Sequence, residues 1–114
     1  MKQPDYESYA QFYDFFELAG YEESEELNIF LNELLAMNGV KTVVDFACGT
    51  GAQSIGLARK GYRVLAADKS PAMIKCASLK ANKAKKHLPL ELDFKIGDMV
   101  DSVYGKFDAA ICIF

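Results

Sequence analysis

The residues best suited to chemistry in this chain are three aspartates and a bend of small residues. Asp45 lies within Thr42-Val43-Val44-Asp45-Phe46, and Ala47-Cys48-Gly49-Thr50-Gly51 follows at once. A glycine-rich bend between a strand and a helix lets backbone N–H groups approach a ligand closely. Asp68 ends the run Arg63-Val64-Leu65-Ala66-Ala67. A carboxylate at that place can accept two hydrogen bonds from a ribose diol. Asp98 follows a third strand-like run. If the three runs are parallel strands, their carboxylates and the bend share one carboxyl-terminal rim.

The surrounding pattern supplies such strands. Thr42 to Phe46 is β-branched and apolar, as a strand buried on both faces should be. Helical spacing then covers about Ala52 to Lys60, closed by Gly61, and Arg63 to Ala67 reads as the next strand. Ser70-Pro71 marks a helix start, with serine as cap and proline at the first helical position, and that helix runs to about Lys85. Leu90 to Ile96 alternates as a strand with one wet face. Phe107 to Phe114 reads as a fourth strand, apolar on both faces. Upstream, Tyr6, Tyr9, Ala10, Phe12, Tyr13 and Phe16 fit one helix with a wide apolar face. A second helix is predicted from Ser24, with Leu27, Phe30, Leu31, Leu34 and Leu35 inward and Gly39 at its end.

Strands alternating with helices predict an α/β domain, a Rossmann-like three-layer sandwich on a parallel sheet. The third strand reads as an edge and the first and fourth as central, so the order is 3-2-1-4. The ligand crevice then opens between the first and fourth strands. Residues 1–40 are expected to form a helical cap or lid, and residues 41–114 the binding core. The apolar fourth strand would leave an adhesive outer edge. Either further chain covers it, or a homodimer or complementary chain does.

With 114 residues the chain suits one domain, and the net charge of −3 points to neither nucleic acid nor an anionic membrane. No apolar run approaches the ~20 residues of a membrane span. The N-terminus does not read as a signal peptide. Cys48, Cys76 and Cys112 form no zinc or disulfide pattern, which suits a reducing cytoplasm.

The stretch Val43 to Gly51 resembles motif I of class I S-adenosylmethionine-dependent methyltransferases, an acidic residue followed by Gly-x-Gly-x-Gly. Val43 to Met73 resembles the glycine N-methyltransferase and ubiquinone/menaquinone-type branch, which acts on small molecules. The resemblance implies S-adenosyl-L-methionine as cofactor and a small-molecule methyl acceptor. It sets Asp45, Ala47, Gly49 and Gly51 around the methionine part, Asp68 on the ribose, and Lys69 and Met73 beside the adenosine. Gly97-Asp98-Met99 resembles the segment in which Asp98 receives the adenine amino group and Met99 packs on the ring. Phe107 to Ile113 resembles the strand whose end, at Ile113, nears the methionine end. Tyr6 to Asp14 resembles a lid helix, so Tyr6 and Tyr13 either close the site or pack as core. Ala47 replaces the first glycine of the motif. The match covers the N-terminal part of such a domain, and the usual substrate-recognition segment after the fourth strand is not matched.

Two rival readings use the same residues. Nicotinamide dinucleotide binding calls for Gly-x-Gly-x-x-Gly, but Ser54 stands at the third glycine, and Asp45 would repel a pyrophosphate. A module that holds the cofactor and needs a partner to act is the other. Cys48 is expected to be there because it is small, and Cys112 to be a buried strand residue. His87 reads as surface. The lysines from Lys75 to Lys86 read as a solvated helix face. No catalytic residue is named, because a sulfonium leaving group needs positioning more than a base.

Overall fold

Four strands pair in parallel in the order β3-β2-β1-β4. They are β1 (Thr42–Phe46), β2 (Arg63–Asp68), β3 (Leu92–Ile96) and β4 (Ala109–Cys112). Three helices join them in the computed structural model, which describes residues 21–98 and 104–113: α1 (Tyr21–Met37), α2 (Ala52–Arg59) and α3 (Pro71–Lys85). The order and the α/β architecture are those expected from the sequence.

Each helix end has a local cause. Gly39, at φ 68°, terminates α1. Its N–H donates to Ala36 O at 3.1 Å and the Val40 N–H donates to Leu35 O at 3.0 Å, the paired bonds of a Schellman motif. Ser70 caps α3 by accepting from the Met73 N–H at 3.3 Å, with Pro71 next in line. Helix α1 already runs at Tyr21, so Ser24 lies inside it and is not its cap.

One hydrophobic core joins all three helices to a single face of the sheet. Leu31 and Leu35 of α1, Ile55, Leu57 and Ala58 of α2, and Ile74, Ala81 and Ala84 of α3 meet Val43, Val64, Ala66, Leu92 and Ile111. Those strand residues alternate with Val44, Phe46, Leu65, Ala67, Lys95, Ala110 and Cys112, which therefore belong to the opposite face. No described helix joins the core from that second face.

This arrangement corrects three expectations. Strand β4 is shorter than 107–114 and is not apolar-buried on both faces: Ala110 and Cys112 are exposed because they point away from the helices. Cys112 is thus a surface thiol. Ile96, at the far end of β3, is also exposed, beyond the helical cover. In α1 the inward stripe is Asn28, Leu31 and Leu35, while Phe30 (59% exposed) and Leu34 (46%) face outward. The cause is a close crossing of α1 and α2 at Gly56, where any Cβ would collide with the Asn28 side chain. That crossing places Asn28, not Phe30, over the core.

At the amino-terminal rim, Asp108 locks β4 to β1. Its Oδ2 accepts the N–H groups of Lys41 and Thr42 at 2.9 and 3.1 Å, and its own N–H donates to Thr42 Oγ1 at 2.8 Å. The two backbone donors are the main reason its carboxyl titrates below the ordinary range.

Candidate functional site

Register brings the strand tips together at the opposite rim. Phe46 is level with Ala67 on one side and Cys112 on the other, and Asp68 is level with Ile96. The bend after β1 turns back on itself through three left-handed residues, Ala47 (φ 55°), Gly49 (φ 59°) and Gly51 (φ 88°). The N–H groups of the bend are spent within the fold: that of Cys48 donates to Ala67 O at 2.9 Å and that of Gly51 to Cys48 O at 3.0 Å.

Asp68 fastens the bend. Its Oδ2 accepts the Gly49 N–H at 2.9 Å and its Oδ1 accepts the Ser70 N–H at 2.9 Å. Each carboxylate oxygen has two lone-pair sites, so one per oxygen is left for a ligand. The two glycines serve different ends. A Cβ on Gly51 would lie 3.1 Å from Ala77 Cβ, so Gly51 lets α3 close on the start of α2. A Cβ on Gly49 would meet nothing within 4 Å. Gly49 therefore borders open space.

Asp45 lies beneath the bend, not on its surface. It is 2% exposed, and the Ser54 hydroxyl donates to its Oδ2 at 2.5 Å. Burial pushes its carboxyl up to about 6, the Ser54 hydrogen bond pulls the other way, and the charge of Asp68 adds to the rise. Ser54 is the residue that departs from the dinucleotide pattern, and its hydroxyl now has a use that a glycine could not serve. Cys48 is buried, and burial first, then Asp45 and Asp68, raise its thiol, so it stays protonated and inert.

The other residues singled out from sequence are placed as follows. Ala47 occupies the first left-handed position of the bend. Lys69 is exposed just past β2, and Met73 is buried in the first turn of α3. Asp98 is exposed two residues beyond the end of β3, and Ile113 is half-buried one residue beyond β4. Tyr6, Tyr13 and Met99 lie outside the described residues.

Sequence reasoning missed Tyr104. Its hydroxyl donates to the Asp98 carbonyl at 2.8 Å. Its ring meets Phe46 edge-on, with centroids 4.9 Å apart at 79°, and Lys95 Nζ lies 4.7 Å from its centroid. Nothing periodic marks it, since it sits in a connection; the only signal was an aromatic residue immediately before Gly105. Also missed was Thr50, 1% exposed within the bend, which Lys80 Nζ reaches from α3 at 3.5 Å.

A family profile described as "Methyltransferase domain" matches residues 43–114. Magnesium protoporphyrin IX methyltransferase, chloroplastic, of Arabidopsis thaliana is 41% identical over 91 residues, which span 78% of this chain and 28% of that protein. Human glycine N-methyltransferase is 36% identical over 97 residues, 77% of this chain and 32% of that protein. The chain thus spans about three-tenths of the length of these curated relatives. Among solved structures, magnesium protoporphyrin IX methyltransferase from Synechocystis PCC 6803 with bound SAH superposes with a TM-score of 0.66 at 28% identity, covering 77% of this chain and 41% of that one. An S-adenosylmethionine-dependent methyltransferase from Clostridium acetobutylicum shares the fold, with a TM-score of 0.74 at 23% identity, over 92% of this chain and 43% of that one.

Proposed function

The chain belongs to the methyltransferase-domain family, and on that premise we propose that its carboxyl-terminal rim binds S-adenosyl-L-methionine for methyl transfer to a small molecule. One observation carries this reading: the carboxylate of Asp68 is bonded to the bend at Gly49, and the space that a Gly49 side chain would enter is open. The remaining lone pairs of Asp68 suit the two ribose hydroxyls. Asp98 takes the adenine amino group, Met99 packs on the ring, and Lys69 and Met73 flank the adenosine. Ala47, Gly49, Gly51 and Ile113 surround the methionine end, with Asp45 acting on it from beneath the bend. Within residues 1–40, α1 packs into the core of residues 41–114 through Leu31 and Leu35, and Tyr6 and Tyr13 are the candidates to close the site.

When bound, the cofactor supplies a methyl group already activated on a sulfonium. The protein's part is to orient it and exclude water, which requires no dedicated base. The negative field of Asp45 and Asp68 favours a cationic ligand and opposes a pyrophosphate. The named relatives act on a magnesium porphyrin and on glycine, and a small-molecule acceptor is proposed here on that footing. Free thiols fit a reducing compartment such as the cytoplasm. Calorimetric titration tests the reading: S-adenosyl-L-homocysteine should bind and NAD should not. Binding of NAD alone would replace it with an oxidoreductase assignment.

A second reading rests on the outer edge of β4, which pairs with no other described strand. Here the chain holds the cofactor but transfers methyl only when a second copy or another segment completes the sheet. Sedimentation analysis should then show a dimer, and a monomer active in methyl transfer would dismiss this version.

A further inference from the structure

The backbone around Asp98 is held from both sides. Just before it, the Gly97 N–H donates to Asp68 O at 2.9 Å, continuing the β2–β3 pairing past the end of the sheet. Just after it, the Asp98 carbonyl accepts the Tyr104 hydroxyl at 2.8 Å. The main chain is therefore tied at the N–H of the residue before Asp98 and at the carbonyl of Asp98 itself, and these two ties constrain the direction in which its side chain leaves the rim.

Tyr104 is itself anchored, so its hydroxyl is not a loose contact. Phe46 at the tip of β1 meets its ring edge-on, and Lys95 on β3 places a cation over the ring. Phe46, Ala67 and Lys95 are one register row across β1, β2 and β3. The ring thus bridges the row from first strand to third, on the face opposite the helices. Ala67, between them, is 1% exposed. Edge-to-face and cation–ring contacts each add a modest, directional attraction. Together they hold the hydroxyl where the Asp98 carbonyl needs it.

We propose that Tyr104 is a positioning residue that, through its hydroxyl bond to the main chain of Asp98, sets that carboxylate to accept a purine 6-amino group and so gives the site its preference for adenine over 6-oxo purines. This deepens the cofactor reading above and rests on it. Tyr104 touches no reacting atom. Its effect passes through Asp98, and it should appear only for ligands that Asp98 can recognise.

The test is a binding cycle read by calorimetry, with S-adenosyl-L-homocysteine and its 6-oxo counterpart S-inosyl-L-homocysteine as probes. Tyr104→Phe keeps the ring contacts with Phe46 and Lys95 and removes only the hydroxyl. It should weaken adenosyl binding about three- to tenfold, the net worth of one hydrogen bond. Inosyl binding should change less than about twofold, because no amino group is offered to the displaced acceptor. In an Asp98→Ala background, Tyr104→Phe should have no further effect on either ligand. Equal losses for both ligands, or a full Tyr104→Phe effect without the Asp98 carboxylate, would overturn the proposal while leaving the cofactor assignment standing. A wild-type chain that binds neither probe would overturn the cofactor assignment itself.

Discussion

Replacing Asp45 by asparagine should make this domain more stable at neutral pH, although it removes a hydrogen-bonded residue from beneath the site. The reasoning starts from burial. Asp45 is 2% exposed and its carboxyl is raised from 3.8 to about 6. A raised folded-state pKa means that the native chain binds its proton more tightly than the unfolded chain does. The stability associated with that proton is complete below about pH 4 and is lost as pH rises through about 6. A shift of about two units corresponds to a loss of roughly 3 kcal/mol at neutral pH. Of this, about 2 kcal/mol disappears between pH 4.5 and pH 7.5, because the unfolded carboxyl is already mostly ionised at the lower value. Asparagine carries no charge to desolvate, and its amide oxygen can still accept from Ser54.

The assay is urea denaturation of the wild type and Asp45→Asn at both pH values, without ligand. Other groups titrate too; the lowered carboxyl of Asp108, for example, makes the fold weaker toward acid. The variant shares them, so the difference between the two proteins isolates Asp45. That difference should move in favour of the variant by ~2 kcal/mol from pH 4.5 to pH 7.5. In return, affinity for S-adenosyl-L-methionine should fall, and fall further than affinity for S-adenosyl-L-homocysteine, whose sulfur is uncharged. A difference in stability that is constant with pH would show that burial does not set the charge of Asp45, and the electrostatic account of the site would fail with it.

Four other substitutions probe separate parts of the argument. Gly49→Val should cost about 1–2 kcal/mol, since a β-branched residue must hold a left-handed backbone, and it should abolish S-adenosyl-L-homocysteine binding in calorimetry; a folded variant of normal affinity would exclude this bend from the site. Asp68→Ala strands the N–H groups of Gly49 and Ser70 and should weaken the same ligand by at least about tenfold, with unchanged affinity removing Asp68 from the site. Ala47→Gly should raise stability by about 1 kcal/mol, the reverse of the usual effect, because only the glycine is relaxed at φ 55°; a lower melting temperature would contradict the backbone assignment. Gly56→Ala gains roughly 1 kcal/mol of helix propensity but must displace Asn28, for a net loss of about 1–2 kcal/mol. Adding Asn28→Ala should recover most of that loss, and strictly additive single effects would mean that the two helices do not meet there.

What the sequence disclosed was whatever a short window of residue types determines. Alternation and β-branching located all four strands, the Ser70-Pro71 pair placed the start of α3, and the glycine bend and Asp68 were each found on the same rim, though not the bond that joins them. Relations that depend on which face an element presents were not legible. The apolar spacing of α1 allowed several inward stripes, and the close approach at Gly56 chose the one containing Asn28. Likewise, β4 is apolar in composition, yet composition says nothing of which face the helices cover. Tyr104 was hidden for a further reason. Its contacts with Phe46, Lys95 and Asp98 join the ends of two strands, β1 and β3, and no local pattern in a connection encodes them.

The two rims of the sheet differ in how they treat the rules of local stability, and that difference argues for where function lies. At the amino-terminal rim the groups are satisfied: Asp108 caps the backbone of β1, and the end of α1 closes through paired carbonyl bonds. At the carboxyl-terminal rim the chain holds Ala47 at φ 55°, the one left-handed residue other than glycine among the described residues, and a buried carboxylate whose proton is retained to about pH 6. Near it, Asn28 Oδ1 is buried without a hydrogen-bond partner while its amide reaches Ala52 at the first turn of α2. Each departure lowers stability, and none improves the packing of the core. Strain and unpaired polarity persist where surrounding structure enforces them, and they gather where a ligand will use them. Their confinement to one end of one sheet is independent of any motif. It also yields its own check: ligand binding should protect the amides of residues 47–51 from hydrogen exchange far more than those of 41–43, and uniform protection would show the asymmetry to be without functional meaning.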